Sequence, residues 1–171
     1  MKLLIFLTIL AVSSAWLAHY SATTVEGAVK VLDGDSLMVG GREIRLLGID
    51  APEYRQECAE TETSAAKFAC GKMARKYLNS LTTSQQVTCT GNETDKYDRL
   101  LAVCTAGDVE LNREMVLRGW AVSFGDYEHE EAVAKQNSAG VWRGVFVRPE
   151  NWRRIDQEKH TSGWLGKLFM W

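Results

Sequence analysis

Residues 29–53 read VKVLDGDSLMVGGREIRLLGIDAPE, in which three short apolar runs alternate with turn-forming residues. Asp33-Gly34 separates the first run from the second, and Gly40-Gly41 separates the second from the third. A Gly-Gly pair between apolar runs is typical of a tight hairpin. The stretch therefore predicts a three-stranded antiparallel meander over about residues 23–49, which Pro52 ends. The connections are too short for helical crossovers, which argues against an open parallel sheet.

The rest of the chain predicts three helices and a second hairpin. Apolar residues recur every three or four positions over about residues 62–81 and 111–118, as they do on one face of a helix. A third helix is predicted over about residues 128–139, and a hairpin over about residues 86–104. Residues 120–124 form a short extended piece. Five strands interrupted by helices in a 171-residue chain predict an α+β fold around a compact β-barrel.

The overall charge excludes a polycationic nucleic-acid binder. The chain has 22 acidic and 20 basic side chains, which gives a formal net charge of −2. An anionic polymer must therefore be held by a local patch of positive charge, because the field of the whole molecule does not attract it.

The N-terminus has the layout of a secretory signal. Lys2 is followed by an apolar run over residues 3–12, and a basic residue before such a run is typical of these signals. The run is short for a membrane span, which needs about 20 apolar residues. Residues 1–22 are therefore predicted to be a signal peptide or an N-terminal anchor of an exported protein, periplasmic or secreted. Residues 23–148 follow as one domain and residues 149–171 as a tail.

Four cysteines are consistent with an oxidising compartment, and four cysteines allow three pairings. Cys89 and Cys104 lie on the two strands of the second hairpin, so its folding predicts a disulfide between them. Cys58 and Cys70 then form the other disulfide, which closes the loop after Glu53 onto the following helix. The alternative is a pair of buried free thiols.

The tail is both basic and aromatic. Trp152-Arg153-Arg154 follows the predicted domain, and residues 164–171 contain two tryptophans, a phenylalanine and other large apolar residues. Two interpretations stay open. The tail is either a segment that packs on the barrel or is disordered, or a surface that contacts a membrane or a partner, because clustered exposed aromatic residues often bind.

Charged residues gather near the ends of the predicted strands. Asp35 and Asp50 end adjacent strands of the meander, so their carboxylates are expected to converge on a hard cation such as Ca²⁺. Glu53 is placed to act as a general base toward water. Arg45 and Arg99 are expected to hold a phosphate with their guanidinium groups. Taken singly, each is more often a turn residue or a surface charge, so the hypothesis requires all five together.

Three segments in this order resemble the thermonuclease family. They are VLDGDS over residues 31–36, RLLGIDAPE over residues 45–53 and TDKYDRLLA over residues 94–102. The likeness covers about residues 25–143. It implies an OB-fold, a five-stranded Greek-key barrel with three helices, and a Ca²⁺-dependent nuclease that hydrolyses DNA and RNA. Low sequence selectivity is expected, because phosphates carry no base identity.

The resemblance also assigns the metal site and the general base. Asp35 and Asp50 match the family's two Ca²⁺-binding carboxylates, and the backbone carbonyl of Ala51 matches a third ligand. Glu53 matches the residue that activates the attacking water.

The resemblance further assigns the contacts to the substrate. Arg45 and Arg99 match the two arginines that bind the scissile phosphate. Lys96 and Tyr97 match residues beside the nucleotide pocket. Tyr127 corresponds loosely to a second tyrosine near the base.

Two rival functions remain at this level. One is a non-catalytic OB-fold module that binds nucleic acid or an oligosaccharide of the cell envelope. The other is a structural envelope protein tethered by one of its ends.

The loop after Glu53 is acidic, since it contains Glu57, Glu60 and Glu62. Under the nuclease hypothesis, this charge predicts a preference for short or single-stranded substrates over long duplexes.

Overall fold

A computed structural model describes residues 22–168, with side chains described as far as Thr161. The predicted signal or anchor therefore lies almost entirely outside the described residues, and so do the side chains of the aromatic end of the tail. Among the described residues, no helix is both long and apolar enough to cross a membrane.

Eleven strands lie within the described residues. They are β1 (Thr23–Gly27), β2 (Val29–Asp33), β3 (Ser36–Val39), β4 (Arg42–Leu46), β5 (Ile49–Asp50), β6 (Cys58–Ala59), β7 (Lys67–Phe68), β8 (Val87–Thr94), β9 (Leu100–Ala106), β10 (Val109–Glu110) and β11 (Val122–Ser123). The main sheet has the order β1-β8-β9-β4-β3-β2, with β10 beside β9. β5 pairs with β11, and β6 pairs with β7.

The pairing pattern is that of an OB-fold. β1 and β2 stand at the two ends of the main sheet, yet only Ala28 separates them along the chain, so they are two halves of one strand. That strand pairs with β3 through one half and with β8 through the other. β4 and β9 run parallel, whereas the other neighbours are antiparallel. The predicted meander and hairpin are thus confirmed, with the first strand split in two.

The part of the chain that the structure describes has four helices, one more than the sequence predicts. They are α1 (Cys70–Thr82), α2 (Leu111–Leu117), α3 (Glu128–Gln136) and α4 (Pro149–Leu168), and a 3₁₀ turn spans Gly140–Arg143. α1 begins at Cys70, eight residues after the predicted start at about residue 62. The reason is that Lys67–Phe68 pairs with Cys58–Ala59 as a short ribbon, which places those residues in extended backbone. α4 lies in the segment that was predicted to be a tail.

Both predicted disulfides are present. Cys89 and Cys104 are direct partners across β8 and β9, and their sulfurs are bonded. Cys58 is bonded to Cys70, the first residue of α1. Since all four cysteines are buried, both bridges belong to the interior, and the Cys58–Cys70 bridge fixes α1 to the loop that follows Glu53.

The core lies inside the main sheet and under α1 and α2. Its largest fully buried side chains come from β3, β4, β5 and the two helices: Leu37, Ile44, Leu46, Ile49, Leu78, Leu111 and Met115. Buried Asn112 donates to the carbonyls of Leu47 and Ala102 at 2.9 and 3.0 Å. Because a buried amide that satisfies two carbonyls is costly to displace, Asn112 fixes the point at which the chain leaves β4 toward Asp50.

Candidate active site

The strand ends bring the two aspartates together. Asp35 lies in the turn between β2 and β3, and Asp50 lies on β5, where it pairs with Val122 of β11. Between β4 and β5, Gly48 has φ +76°, and an added Cβ would meet the Asp126 side chain at 2.7 Å. Glycine is therefore required at this bend, which aims Asp50 back at β3.

Arg45 joins the two aspartates. Its Nη1 donates to Oδ1 of Asp35 and its Nη2 to Oδ1 of Asp50, each at 2.9 Å. Arg45 is the direct partner of Ser36 across β3 and β4, so the register of the sheet sets this contact. Burial alone would lower the pKa of Arg45, but the charges of Asp35 and Asp50 outweigh it and raise that pKa above its ordinary value.

Asp35 is held on both oxygens. The Ser36 hydroxyl donates to Oδ1 at 3.0 Å, and the backbone N–H of Ala51 donates to Oδ2 at 3.0 Å. Asp35 and Asp50 are both buried. Buried carboxylates persist in a fold only when they are paired and hydrogen-bonded, and Arg45 supplies the shared positive charge here.

A third arginine, Arg153 of α4, completes this network. Its Nη1 donates to Asp50 Oδ1 at 2.9 Å and to Glu53 Oε1 at 2.8 Å, and its Nη2 donates to Asp50 Oδ2 at 3.0 Å. Burial alone would lower the pKa of Arg153. Its hydrogen bonds to Asp50 and Glu53, together with their charges, outweigh this effect and raise the pKa above its ordinary value. The result is a chain of alternating charges in the order Asp35, Arg45, Asp50, Arg153 and Glu53.

The backbone around Glu53 is fixed by contacts with Gln56 and with α1. The Glu53 N–H donates to Oε1 of buried Gln56 at 3.3 Å, and Nε2 of Gln56 donates to the Val147 carbonyl at 2.6 Å. Gly71 of α1 packs so closely that an added Cβ would lie 1.8 Å from the Glu53 carbonyl oxygen. The backbone of Glu53 is therefore held rigidly by Gln56 and α1.

Arg99 approaches from the other hairpin. Asp95 orients it, because Oδ2 of Asp95 accepts from Arg99 Nε at 2.8 Å and from Nη2 at 2.6 Å. The remaining Nη1 donates to the Ser36 hydroxyl at 3.3 Å, which in turn donates to Asp35. Arg99 is thus linked to the aspartate network although it comes from a distant part of the sequence.

One cavity of about 920 Å³ is lined by most of these groups. Its lining includes six of the predicted residues: Asp35, Arg45, Glu53, Lys96, Tyr97 and Arg99. Asp50 and Ala51 are buried and are not part of the lining. Tyr97 is 68% exposed, with Nζ of Lys96 5.0 Å from its ring centre and Cζ of Arg99 at 5.5 Å. An exposed ring flanked by two cations is suited to stacking on a base beside a phosphate.

Tyr127 is not brought to this cavity. Its hydroxyl donates to Glu110 Oε1 at 2.7 Å, and its ring packs against the main core. Burial and the neighbouring Glu110 raise the pKa of Tyr127 above its ordinary value. The aromatic side chain that lines the cavity from this part of the chain is Phe124, which is 57% exposed.

Asp33 also faces the cavity but has a structural role in the turn. Its Oδ1 accepts from the Gly34 N–H at 2.8 Å, as predicted for a turn aspartate. Burial, together with the nearby charges of Asp35 and Glu53, raises its pKa to about 6. Asp33 therefore takes up a proton at a higher pH than an aspartate in an exposed turn does.

Each aspartate of the network keeps one free acceptor position. No cluster of three or more Asp, Glu, His or Cys side chains with metal-binding geometry occurs among the described residues, so any cation here also needs backbone or water oxygens. An ionised carboxylate has about four acceptor positions. Within the described residues, Asp35 and Asp50 use three each. One position on each Oδ2 therefore remains, and such oxygens suit Ca²⁺.

Comparison with known proteins identifies the family. The staphylococcal nuclease homologue model matches residues 43–144, which is more than half of the chain. This chain belongs to the staphylococcal nuclease family. The matched region contains Arg45, Asp50, Glu53 and Arg99, whereas Asp35 precedes it and Arg153 follows it.

Curated relatives extend the similarity over most of the chain. Succinoglycan biosynthesis protein ExoI of Rhizobium meliloti (strain 1021) is 33% identical over 154 residues, 84% of this chain and 78% of that protein. Micrococcal nuclease of Shigella flexneri is 33% identical over 152 residues, 75% of this chain and 80% of that protein. An uncharacterized endonuclease of Haemophilus influenzae is 32% identical over 143 residues, 77% and 72% respectively.

Two residues of the site were not found from sequence. Gln56 is surrounded by acidic and surface residues, so nothing in the pattern predicts that it is fully buried. The sequence marks Arg153 only as part of a basic, aromatic tail. The one sequence signal for its role is the pair Trp152-Arg153. A large apolar residue beside a cation is typical of a helix that packs on the protein while its charged group reaches a polar partner.

Proposed function

We propose that this protein is an exported, Ca²⁺-dependent phosphodiesterase that hydrolyses DNA and RNA strands with little sequence selectivity. The observation that carries the proposal is the alternating network from Asp35 to Glu53, which shares one open cavity with Arg99. Membership of a nuclease family supports the reaction class, and the two disulfides support export, because disulfides persist in oxidising compartments.

Glu53 is the proposed general base. Its Oε1 accepts from Arg153, Oε2 accepts no hydrogen bond from any described residue, and the residue lines the cavity. Water gives a proton to Glu53 as its oxygen attacks phosphorus. The bond from phosphorus to the 5′ oxygen then breaks, which leaves a 3′-phosphate and, after protonation of the leaving oxygen, a 5′-hydroxyl.

Arg45 and Arg99 are the proposed phosphate ligands. Negative charge grows on the phosphoryl oxygens as the pentacoordinate phosphorane forms, and guanidinium groups held in place before reaction stabilise it. Arg45 is fixed by two aspartates, and Arg99 is fixed by Asp95. Both therefore meet the phosphate without having to reorganise, which is how such groups contribute most to the rate.

Asp35 and Asp50 are the proposed ligands of Ca²⁺, with the Ala51 carbonyl as a third oxygen. When bound, the cation supplies positive charge that polarises the phosphate and stabilises the leaving oxygen. The free acceptor positions on both Oδ2 atoms allow binding while Arg45 and Arg153 stay in place. Arg153 is then a positioning residue, because it holds Glu53 beside Asp50 despite their like charges.

The test is a metal screen on the purified mature protein. Hydrolysis of single-stranded DNA, duplex DNA and RNA is measured with Ca²⁺, Mg²⁺, Mn²⁺ and excess chelator. The proposal predicts activity with Ca²⁺, loss of activity with chelator and recovery on adding Ca²⁺ back. Full activity in chelator would contradict the metal assignment, and no hydrolysis under any condition would contradict the reaction.

A second candidate is a binding module for an envelope oligosaccharide. The observation that favours it is the similarity to a protein named for succinoglycan biosynthesis. A module of this kind has no need of Glu53, Arg45 and Arg99 in one cavity. Oligosaccharide binding without phosphodiester hydrolysis in the same screen would support this candidate over the nuclease.

A further inference from the structure

Beside the active site, the exposed face of α1 is unusually basic. Every charged side chain of α1 is a cation: Lys72, Arg75 and Lys76. Their spacing of three and four residues puts them on one face of the helix. Within the described residues, none of the three forms an ion pair, and neither does Arg55 in the preceding loop, whereas nine other lysines and arginines do.

Tyr54 lies at the centre of this face. It follows Glu53 directly, is 43% exposed, and has Arg75 Cζ 5.3 Å and Lys72 Nζ 5.7 Å from its ring centre. An exposed aromatic ring between cations is the arrangement on which single-stranded nucleic acids bind, with bases stacked on the ring and phosphates held by the cations.

Three cavities connect this face to the active site. The main cavity shares four lining residues with a second cavity of about 320 Å³: Asp33, Glu53, Arg153 and Gln157. The second cavity shares Tyr54 with a third, of about 280 Å³, which Lys72, Arg75, Lys76 and Asn79 also line. The three cavities therefore adjoin one another, in order from Glu53 past Tyr54 to the basic face of α1.

The basic face is fixed relative to Glu53. The Cys58–Cys70 disulfide ties the first residue of α1 to the loop after Glu53, and Gly71 packs directly against the Glu53 carbonyl. A strand held on this face is thus held at a constant distance from the proposed general base. Such positioning of a remote part of a substrate raises the rate at the reacting centre.

We infer that Tyr54 and the cations of α1 form a binding site for the single-stranded part of a nucleic-acid substrate next to the scissile phosphate. The inference rests on the proposed function for its connection to cleavage, but the binding itself does not depend on it. It accounts for polyanion binding by a protein with more acidic than basic residues, because four cations without an ion pair among the described residues line the cavities around Tyr54. They are Arg55, Lys72, Arg75 and Lys76.

The test is binding by a Glu53→Gln protein, which should cut the probe at least about a hundredfold more slowly than the wild type. The affinity for a fluorescent 20-nucleotide oligo-dT is measured by anisotropy at a series of salt concentrations. Lys72→Ala with Lys76→Ala should reduce the slope of log K against log salt by about 1.4, since each phosphate contact on a single strand contributes about 0.7. Tyr54→Ala should weaken binding roughly tenfold and leave that slope unchanged.

The matched control is Arg113→Gln with Arg118→Gln, which removes one exposed cation from α2 and one from the residue directly after it, and changes the net charge equally. Its salt slope should equal that of the parent protein. An unchanged salt slope in the α1 variant, or an equal decrease of the slope in the control, would overturn the inference. A slope that decreases with a duplex DNA probe but not with oligo-dT would also overturn it. Thermal melting of each variant confirms folding.

The two proposals fail in different ways. If the wild-type protein does not hydrolyse nucleic acid but the α1 variant still lowers the slope, the binding site stands and the proposed function does not. If the wild type hydrolyses nucleic acid and the slope is unchanged, the proposed function stands and the binding site does not.

Discussion

Arg153 Nη1 lies 2.8 Å from Oε1 of Glu53, although the two residues are 100 positions apart in the chain. The same nitrogen donates to Asp50 at 2.9 Å. One guanidinium group therefore holds two carboxylates that would otherwise repel each other, and it comes from a helix beyond the region that the family model matches.

Glu53→Gln should lower kcat by about a hundredfold or more, because glutamine cannot accept the proton from water. Its hydrogen bond to Arg153 is retained, so the melting temperature should stay close to that of the wild type. The control is Glu57→Gln, a nearby exposed acid paired with Lys67 at 3.6 Å, which should leave kcat unchanged. Wild-type turnover in Glu53→Gln would remove Glu53 from its proposed role.

Arg153→Ala should lower kcat by about tenfold to a hundredfold, because Glu53 loses its position beside Asp50. Arg153→Lys should recover only part of the loss, since lysine cannot make the two-pronged contact. Arg154→Ala, which removes the neighbouring cation of the same cavity lining, is the matched control and should cost less than about twofold.

A double-mutant cycle separates positioning from general stabilisation. If Arg153 acts through Glu53, Arg153→Ala should cost little in a Glu53→Gln background, because the effects of residues that act as a unit are not additive. Equal losses in both backgrounds would show that Arg153 acts on the fold or on the substrate instead.

Arg99→Ala should lower kcat by about a hundredfold, which is the typical cost of removing one donor to a developing negative charge. Asp95→Asn should cause a smaller loss, because it weakens the contact that orients Arg99 without removing the cation. Initial rates on single-stranded DNA under saturating Ca²⁺ measure both effects. A larger loss from Asp95→Asn than from Arg99→Ala would contradict this order of roles.

The Glu131 network should make the fold sensitive to acid. Burial alone would raise the pKa of Glu131, but hydrogen bonds from Lys135, Arg148 and the Ser123 N–H lower it below its ordinary value. A carboxyl group with a lowered pKa in the folded state stabilises the protein above its ordinary pKa, and this contribution is lost as the pH falls through the lowered value.

Glu131→Gln should therefore lower the melting temperature by roughly 3–8 °C at pH 7, and the difference from wild type should shrink toward pH 3. Glu128→Gln, an exposed residue of the same helix, is the control and should melt like the wild type. Because Arg148 directly precedes α4, kcat of Glu131→Gln should also decrease. A difference in melting temperature that stays constant from pH 7 to pH 3 would contradict the assignment.

Local patterns in the sequence were sufficient for most of the strands and for one disulfide. Alternation and glycine turns located the meander, and the hairpin placed Cys89 opposite Cys104 because strand register is a local property. The start of α1 was misplaced, since alanines at helical spacing precede a segment that instead pairs with Cys58–Ala59. Pairing with a distant strand outweighed helix propensity there.

The sequence by itself determined the residue types of the site and their order along the chain, because carboxylates, guanidinium groups and turn glycines have a chemistry that does not depend on their surroundings. Only the tertiary structure decided that α4 brings Arg153 to Glu53, that Gln56 is buried beneath it and that Tyr127 turns toward the core. These contacts join residues far apart in the chain, and their formation depends on the packing of whole elements, which no local pattern encodes.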